Sequence, residues 1–297
     1  MKIFKPSSLR NVAMIALPTI LIWIFAAAAN NKSYALPLIP GPAKNASDQS
    51  SSPQSLTDEQ IANFLRSAKI IRNRQSNKGV TRPSILTLSD GIITHDASFQ
   101  PINEYEPVKK FSDGSTEINF HDSYHYNLAA YEVAKLLGIG DMMPVYVERK
   151  WNGRWGSLSW YLPVKMDEEE RYLKKIPVPD VDAWNNQMHK IRVFSELLDN
   201  KDMNLTNVLI GYDWKLYMID FTRAFRLQTD LPHPKNLVKC DRRLFEKLRQ
   251  LNKEEVTQKT KGQLKKSEIQ ALMARRDKIV SHFQKLIAEQ GENTVLY

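Results

Sequence analysis

DNKDMNLTNVLIGYDWKLYMIDFTRAF, residues Asp199 to Phe225, sets two aspartates and three asparagines ahead of two short apolar runs. Asn200 to Asn207 reads as a polar loop, Val208-Leu209-Ile210-Gly211 as a strand, Tyr212 to Lys215 as a turn and Leu216 to Ile219 as the returning strand. Folding of that hairpin carries Asp220 back toward Asn207, so Asp202, Asn207 and Asp220 converge. Either half alone has a plain reading, because Asn and Asp favour loops by bonding their own backbone.

Two halves in this order and spacing fit a specific chemistry. Phosphoryl transfer needs a carboxylate that orients the attacking hydroxyl and oxygen ligands that hold divalent metal on the nucleotide phosphates. Four residues separate Asp202 from Asn207, the interval between base and metal-binding Asn in the H-R-D-x-x-x-x-N loop of protein kinases.

On these residues, Asn200-x-Asp202-x-Asn204-x-x-Asn207 followed by Ile219-Asp220-x-x-Arg223-Ala224-Phe225, the chain resembles the atypical kinase-like superfamily of phosphoinositide kinases, toxin-type bacterial kinases and secretory-pathway kinases. The resemblance implies an α+β, two-lobed protein-kinase-like fold, with a small sheet-bearing N-lobe over 57–160 and a mostly helical C-lobe over 161–297. It implies ATP and Mg²⁺ or Mn²⁺ as cofactors, and a hydroxyl acceptor that is a protein, a lipid or a small polyol. Asp202 takes the catalytic role, Asn207 and Asp220 hold metal, and Asn204 and Arg223 support them. Arg223 also has a structural reading, as the partner of a nearby carboxylate.

Further back, Ala97-Ser98-Phe99-Gln100-Pro101 looks like the strand that carries the ATP-binding lysine, and Asn127-Leu128-Ala129-Ala130-Tyr131 like its partner helix. Here the chain departs from the pattern: Gln100 replaces the lysine, Asn127 the glutamate that orients it, and Met203 the basic residue after Asp202. Gln100, Asn127, Lys109 and Lys110 are the nucleotide-binding candidates, the two lysines reaching in from a neighbouring loop with Glu117 orienting one of them. The departures motivate an alternative function, a catalytically weak pseudokinase-like module that binds nucleotide, metal or a partner.

The rest of the pattern supplies elements for both lobes. Thr57-Asp58-Glu59-Gln60 reads as a capping box for a helix with Ile61, Phe64, Leu65, Ala68 and Ile71 inward. Ile85 to Leu88 and Ile92 to Phe99 flank an Asp90-Gly91 turn, and two later strands flank Asn152-Gly153. Ser123 to Leu137 and Asp180 to Leu198 are helices, and Ser267-Glu268-Ile269-Gln270 caps one that Gly291 stops.

His121 and His125 have the i, i+4 spacing of an H-E-x-x-H metal site, which suggests a metal-dependent hydrolase. Ser123 reads as the cap that leaves His121 outside the helix, which disfavours it. Glu168-Glu169-Glu170, followed by Arg171, Lys174 and Lys175, reads as a salt-bridged helix face rather than a metal patch.

Lys2, Lys5 and Arg10 precede the 18-residue apolar run Val12 to Ala29 and Ser33-Tyr34-Ala35, so residues 1–35 read as a signal peptide or N-terminal anchor and the domain as exported: periplasmic, secreted or membrane-anchored. Membrane contact is expected only through that segment if it is uncleaved. Residues 36–56 read as a flexible linker rich in Pro, Ser and Ala. Lys2, Lys5, Arg10 and Lys32 supply four of the net nine positive charges, so the remainder carries +5, mostly on C-terminal helix faces, and no nucleic-acid partner is expected. Cys240 is the lone cysteine, which excludes an intrachain disulfide and reads as a small buried apolar residue.

Overall fold

The computed structural model describes residues 56–75 and 83–297. The signal or anchor segment and nearly all of the 36–56 linker lie outside the described residues, as do residues 76–82.

Thr57 opens α1 (Asp58–Ser67) with reciprocal bonds: its hydroxyl accepts the Gln60 N–H at 3.2 Å and the Gln60 side chain accepts the Thr57 N–H at 2.8 Å. Phe64 and Leu65 are buried, but the helix stops at Ser67. Ile71, expected on its inner face, lies instead in β1 (Lys69–Gln75) and is exposed, because the β-branched pair Ile70-Ile71 prefers extended backbone.

β1 pairs antiparallel with β2 (Ser84–Ser89), and β2 with β3 (Thr94–Gln100). At the turn between the last two, Asp90 Oδ1 accepts the N–H groups of Ile92 and Ile93 at 2.9 and 2.7 Å. Gly91 adopts φ +92°, which a side chain would resist.

β4 (Asn103–Lys110) and β5 (Thr116–Ser123) form a separate two-stranded ribbon. Sequence periodicity misses it because most of its residues are exposed, so no in-out alternation is needed. Pro107 is tolerated there since the ribbon has open edges.

Ser123 caps α2 (Tyr124–Leu136) by accepting the His125 N–H at 3.4 Å, and Gly138 at φ +71° follows its end. β6 (Tyr146–Trp151) and β7 (Arg154–Trp160) turn about Asn152 and Gly153, both at positive φ, and complete a sheet of order β1-β2-β3-β7-β6. Leu86, Leu88, Ala97, Phe99 and Leu158 of this sheet share one core with Ala129, Ala130 and Val133 of α2.

The second lobe is not helical throughout. β8 (Val164–Asp167) starts a small sheet of order β10-β9-β8. α3 (Glu168–Leu173) carries Arg171 on Glu168 at 2.5 Å and Lys174 on Glu170 at 2.6 Å, the salt-bridged arrangement read from the sequence, although Glu168 itself is buried. α4 (Val181–Leu198) is capped by Asp180 and buries Trp184, Ile191 and Leu198. β9 (Val208–Gly211) and β10 (Leu216–Met218) form the expected hairpin. α5 (Arg242–Gln250), α6 (Lys253–Lys259), α7 (Lys266–Gln290) and α8 (Glu292–Val295) follow.

The cap of α7 falls two residues earlier than expected. Glu268 accepts the Lys265 N–H at 2.6 Å, so Lys265 rather than Ser267 is the flanking residue. The same carboxylate accepts the Tyr126 hydroxyl at 2.6 Å, which ties α7 to α2. Gly291 at φ +87° ends the helix. Among the described residues no helix is long and apolar enough to cross a membrane. Cys240 is buried, and burial raises its thiol pKa far above the ordinary value.

Arg275 of α7 is fully buried and donates to Leu197 O and Arg226 O at 2.8 Å each, and to Gln228 O. These carbonyls flank the Asp199 to Phe225 motif, so one guanidinium pins both its ends to α7. Burial pushes the pKa of Arg275 down to about 10, opposed by Asp199 and Glu196, so it stays charged at neutral pH. Arg275→Met leaves two buried carbonyls and the part-buried Gln228 O without this donor and is expected to lower stability by about 3 kcal/mol or more. In thermal unfolding that is a melting temperature lower by about 6 °C or more, against little change for exposed Arg243→Met.

Candidate active site

α4 ends at Asp199, in the left-handed region at φ +46°, and the chain then folds on its own side chains. Asn200 Oδ1 accepts the Asp202 N–H at 3.2 Å, and the Asp202 carbonyl accepts Asn204 Nδ2 at 3.2 Å and Asn207 Nδ2 at 2.8 Å. Asn204 Oδ1 accepts the Thr206 N–H at 3.0 Å. The asparagines spend their donors mostly on backbone, so among the described residues the Asp202 carboxylate keeps only a 3.4 Å contact, from Asn204 Nδ2. The planar amide of Asn207, its Nδ2 committed, turns Oδ1 the other way.

The hairpin returns Asp220 to this loop. Ile219 N–H donates to Asn207 O at 3.1 Å, and Asn200 Nδ2 to Asp220 O at 3.4 Å. Asp220 sits at φ +59°, with its Oδ1 accepting the Thr222 hydroxyl at 3.1 Å. Burial raises the Asp220 pKa above 3.8; Thr222 and Gln100 oppose the shift, while the charges of Asp202 and Asp122 add to it. Asp202, Asn207 and Asp220 are thus brought together as the spacing implies.

Asp122, on β5, joins them without having been singled out for this role. The Thr222 hydroxyl also faces it, and Ser123 N–H bonds Thr222 O at 2.8 Å, fixing the end of β5 against the Asp220 segment. Its Oδ1 is buried with no hydrogen-bond partner among the described residues. Burial raises its pKa, against Thr222 and Arg223, with Glu104 and Asp202 adding to the rise. The signal in sequence was faint, since Asp122 stands between His121 and Ser123 on a strand with no apolar pattern.

Gln100 and Asn127 do meet. Asn127 Nδ2 donates to Gln100 Oε1 at 2.8 Å and to Ser157 Oγ at 3.2 Å, and Asn127 Oδ1 accepts the Phe221 N–H at 2.7 Å. An amide pair stands where the resemblance places lysine and glutamate.

Lys109 and Lys110 belong to strand β4 rather than to a loop. Lys109 Nζ lies 3.1 Å from Glu106, 3.6 Å from Glu104 and 3.9 Å above the Phe120 ring, and its pKa is raised mainly by Glu106. Glu117 orients neither lysine: it pairs with Arg223 and Arg226, and Arg223 also lies over the rings of Phe111 and Phe120. Arg223 therefore has the structural pairing that the sequence suggested.

His121 ends up on β5 against Tyr105, while His125 on α2 stacks on Tyr124, so the two do not share a helix and the hydrolase reading loses its geometry. A cavity of about 600 Å³ beside the ribbon is lined by Ile102, Glu104, Tyr124, Arg154 and Trp155 and takes in none of Asp202, Asn207 or Asp220.

Oxygen atoms surround Asp220: its own carboxylate and the orphaned Oδ1 of Asp122, with Asn207 held alongside through the Ile219 N–H to Asn207 O bond. Hard divalent cations such as Mg²⁺ or Mn²⁺ take such ligands. Among the described residues no three His, Cys, Asp or Glu side chains are arranged to hold a metal by themselves. A cation here would draw on Asn207, phosphate and water as well.

Among the solved structures that share this architecture are two kinase-fold proteins. Hydra Fam20 with sugar superposes with a TM-score of 0.62 at 14% identity, over 81% of this chain and 92% of that one. Golgi casein kinase with Mn/ADP bound gives 0.59 at 15% identity, over 80% and 78%. This chain has a two-lobed kinase-like fold. No protein-family model matches it, and no curated protein matches its sequence. At such identities the kinase-like fold is what the likeness establishes, and the chemistry rests on this chain's own residues.

In the metal-free protein the raised pKa values of Asp220 and Asp122 have a measurable consequence. A carboxyl whose folded pKa lies above its unfolded value contributes stability below the unfolded value, and loses it as pH rises through the folded one. Asp220→Asn removes one such loss. With a chelator present, the variant is expected to melt higher than wild type at pH 7, and the gap to shrink as pH falls toward 3.8, the ordinary aspartate value. A gap independent of pH would contradict the burial of this carboxylate.

Proposed function

We propose that this chain is an ATP-dependent phosphotransferase of the atypical kinase-like class, exported from the cytoplasm, that acts on a hydroxyl acceptor with divalent metal. The observation that carries the reading is the convergence of Asp202, Asn207 and Asp220 through the Asn207 Nδ2 to Asp202 O and Ile219 N–H to Asn207 O bonds. Asp202, with its carboxylate nearly free, orients the acceptor hydroxyl and takes its proton. Asn207 and Asp220 hold Mg²⁺ or Mn²⁺, which when bound neutralises phosphate charge. Asn204 keeps Asp202 in place, and Arg223 holds the segment after Asp220 against the ribbon through Glu117.

The Mn/ADP named for the Golgi casein kinase structure and the sugar named for the hydra structure support a nucleotide, a metal and a hydroxyl-bearing acceptor for this fold. A second reading has its own observation. The uncharged Gln100–Asn127 pair favours a module that binds nucleotide with little turnover.

Transfer of labelled phosphate from ATP, with Mn²⁺ or Mg²⁺, to a panel of protein, lipid and polyol acceptors separates the two. Wild type is expected to transfer phosphate and Asp202→Ala to lose about 100-fold or more in rate. Asp220→Ala is expected to lose both transfer and the rise in melting temperature that Mn²⁺ with ADP gives wild type. Metal-dependent stabilisation without transfer to any acceptor would select the binding module, and no stabilisation at all would remove the basis of both.

A further inference from the structure

The orientation of the amides around Asn127 follows from one backbone group. Phe221 N–H can only donate, so the Asn127 atom that meets it at 2.7 Å is the oxygen. The planar amide then presents Nδ2, a donor, to Gln100 at 2.8 Å and Ser157 at 3.2 Å. Gln100 must meet that donor with Oε1, which leaves its own Nε2 as the end that can serve Asp220. The favourable influence of the Gln100 side chain on the charged form of Asp220 agrees with this direction.

Asn127 is 1% exposed and joins four pieces of chain: its own helix α2, the end of β3, β7, and the residue after Asp220. An aspartate there would accept from Phe221 but offer no proton to Gln100 or Ser157. A leucine would satisfy none of them. Asn127 donates and accepts at once, so it serves all three partners while Gln100 faces it with Oε1.

We propose that Asn127, with Gln100, is an uncharged positioning brace that sets Asp220 for its cation, and that phosphate charge at this site is balanced by divalent cations rather than by a lysine on β3. The ligand half of this inference rests on the phosphotransferase reading. The brace half rests on the hydrogen bonds alone. A lysine paired with glutamate would hold α2 to the sheet and also face the phosphates with a positive charge, whereas the amide pair does only the first.

The brace is read by hydrogen exchange at the Phe221 amide and by titration with Mn²⁺ alone. Asn127→Leu is expected to speed that exchange at least tenfold and to weaken Mn²⁺ binding at least tenfold. Where Asn127→Leu does not fold, Gln100→Leu, which keeps the Phe221 bond, carries the Mn²⁺ measurement with the same expectation. Unchanged Mn²⁺ affinity in the folded variant overturns the brace. The charge claim is read by calorimetry with ADP. Wild type is expected to bind ADP at least 100-fold more weakly in chelator than with Mn²⁺, and Gln100→Lys/Asn127→Glu to bind it in chelator at least tenfold tighter than wild type does. Equal ADP binding by wild type with and without Mn²⁺ overturns the charge claim. Absence of ADP binding to wild type in every condition sinks the phosphotransferase reading and the charge claim together, while Mn²⁺ titration of the variants still decides the brace.

Discussion

A carboxylate held in a buried left-handed turn is the constraint around which the second half of the chain is organised. Left-handed backbone costs a residue with a Cβ about 1–2 kcal/mol, and desolvation penalises the charge that Asp220 carries. Neither persists unless neighbours fix it. Asn200 reaches its carbonyl, Thr222 its carboxylate, Asn127 the next N–H and Asn207 the preceding one. Three of these four residues lie in the motif at 199–225, and the fourth comes from the other lobe.

That fourth contact couples the lobes. α2 belongs to the sheet-bearing half by packing, yet its Asn127 closes the Asp220 turn, and its Tyr126 bonds Glu268 of α7. On the opposite side, Glu117 of the ribbon gathers Arg223 and Arg226, and Arg275 gathers the carbonyls at both ends of the motif. Movement of α2 or of the ribbon against the second lobe would therefore move Asp220 too. A site placed where lobes meet would suit the proposed reaction, whose main demand on the protein is position.

Where local chemistry decides, the sequence was enough. Asp-Gly and Asn-Gly turns, the Thr57 capping box, Ser123 before α2 and the hairpin that returns Asp220 all depend on residues within a few positions of one another. Legibility failed where tertiary context decides. Ile71 kept helical spacing but entered an exposed strand, and the ribbon that carries Asp122 and Glu117 has no buried face to impose a period. The roles of Gln100 and Asn127 were visible only as departures from a charged pair. That two neutral side chains could interlock was hidden, because amides 27 residues apart in sequence declare no partner until the fold sets them 2.8 Å apart.

The central claim is that this turn is built to place oxygen ligands on a divalent cation. Anomalous diffraction from crystals grown with Mn²⁺ and ADP locates the cation directly. The account requires a manganese peak about 2–2.6 Å from a carboxylate oxygen of Asp220 and from Oδ1 of Asn207, with the ADP phosphates on its open side. Manganese bound elsewhere, with Asp220 and Asn207 making no contact to it, would contradict the account.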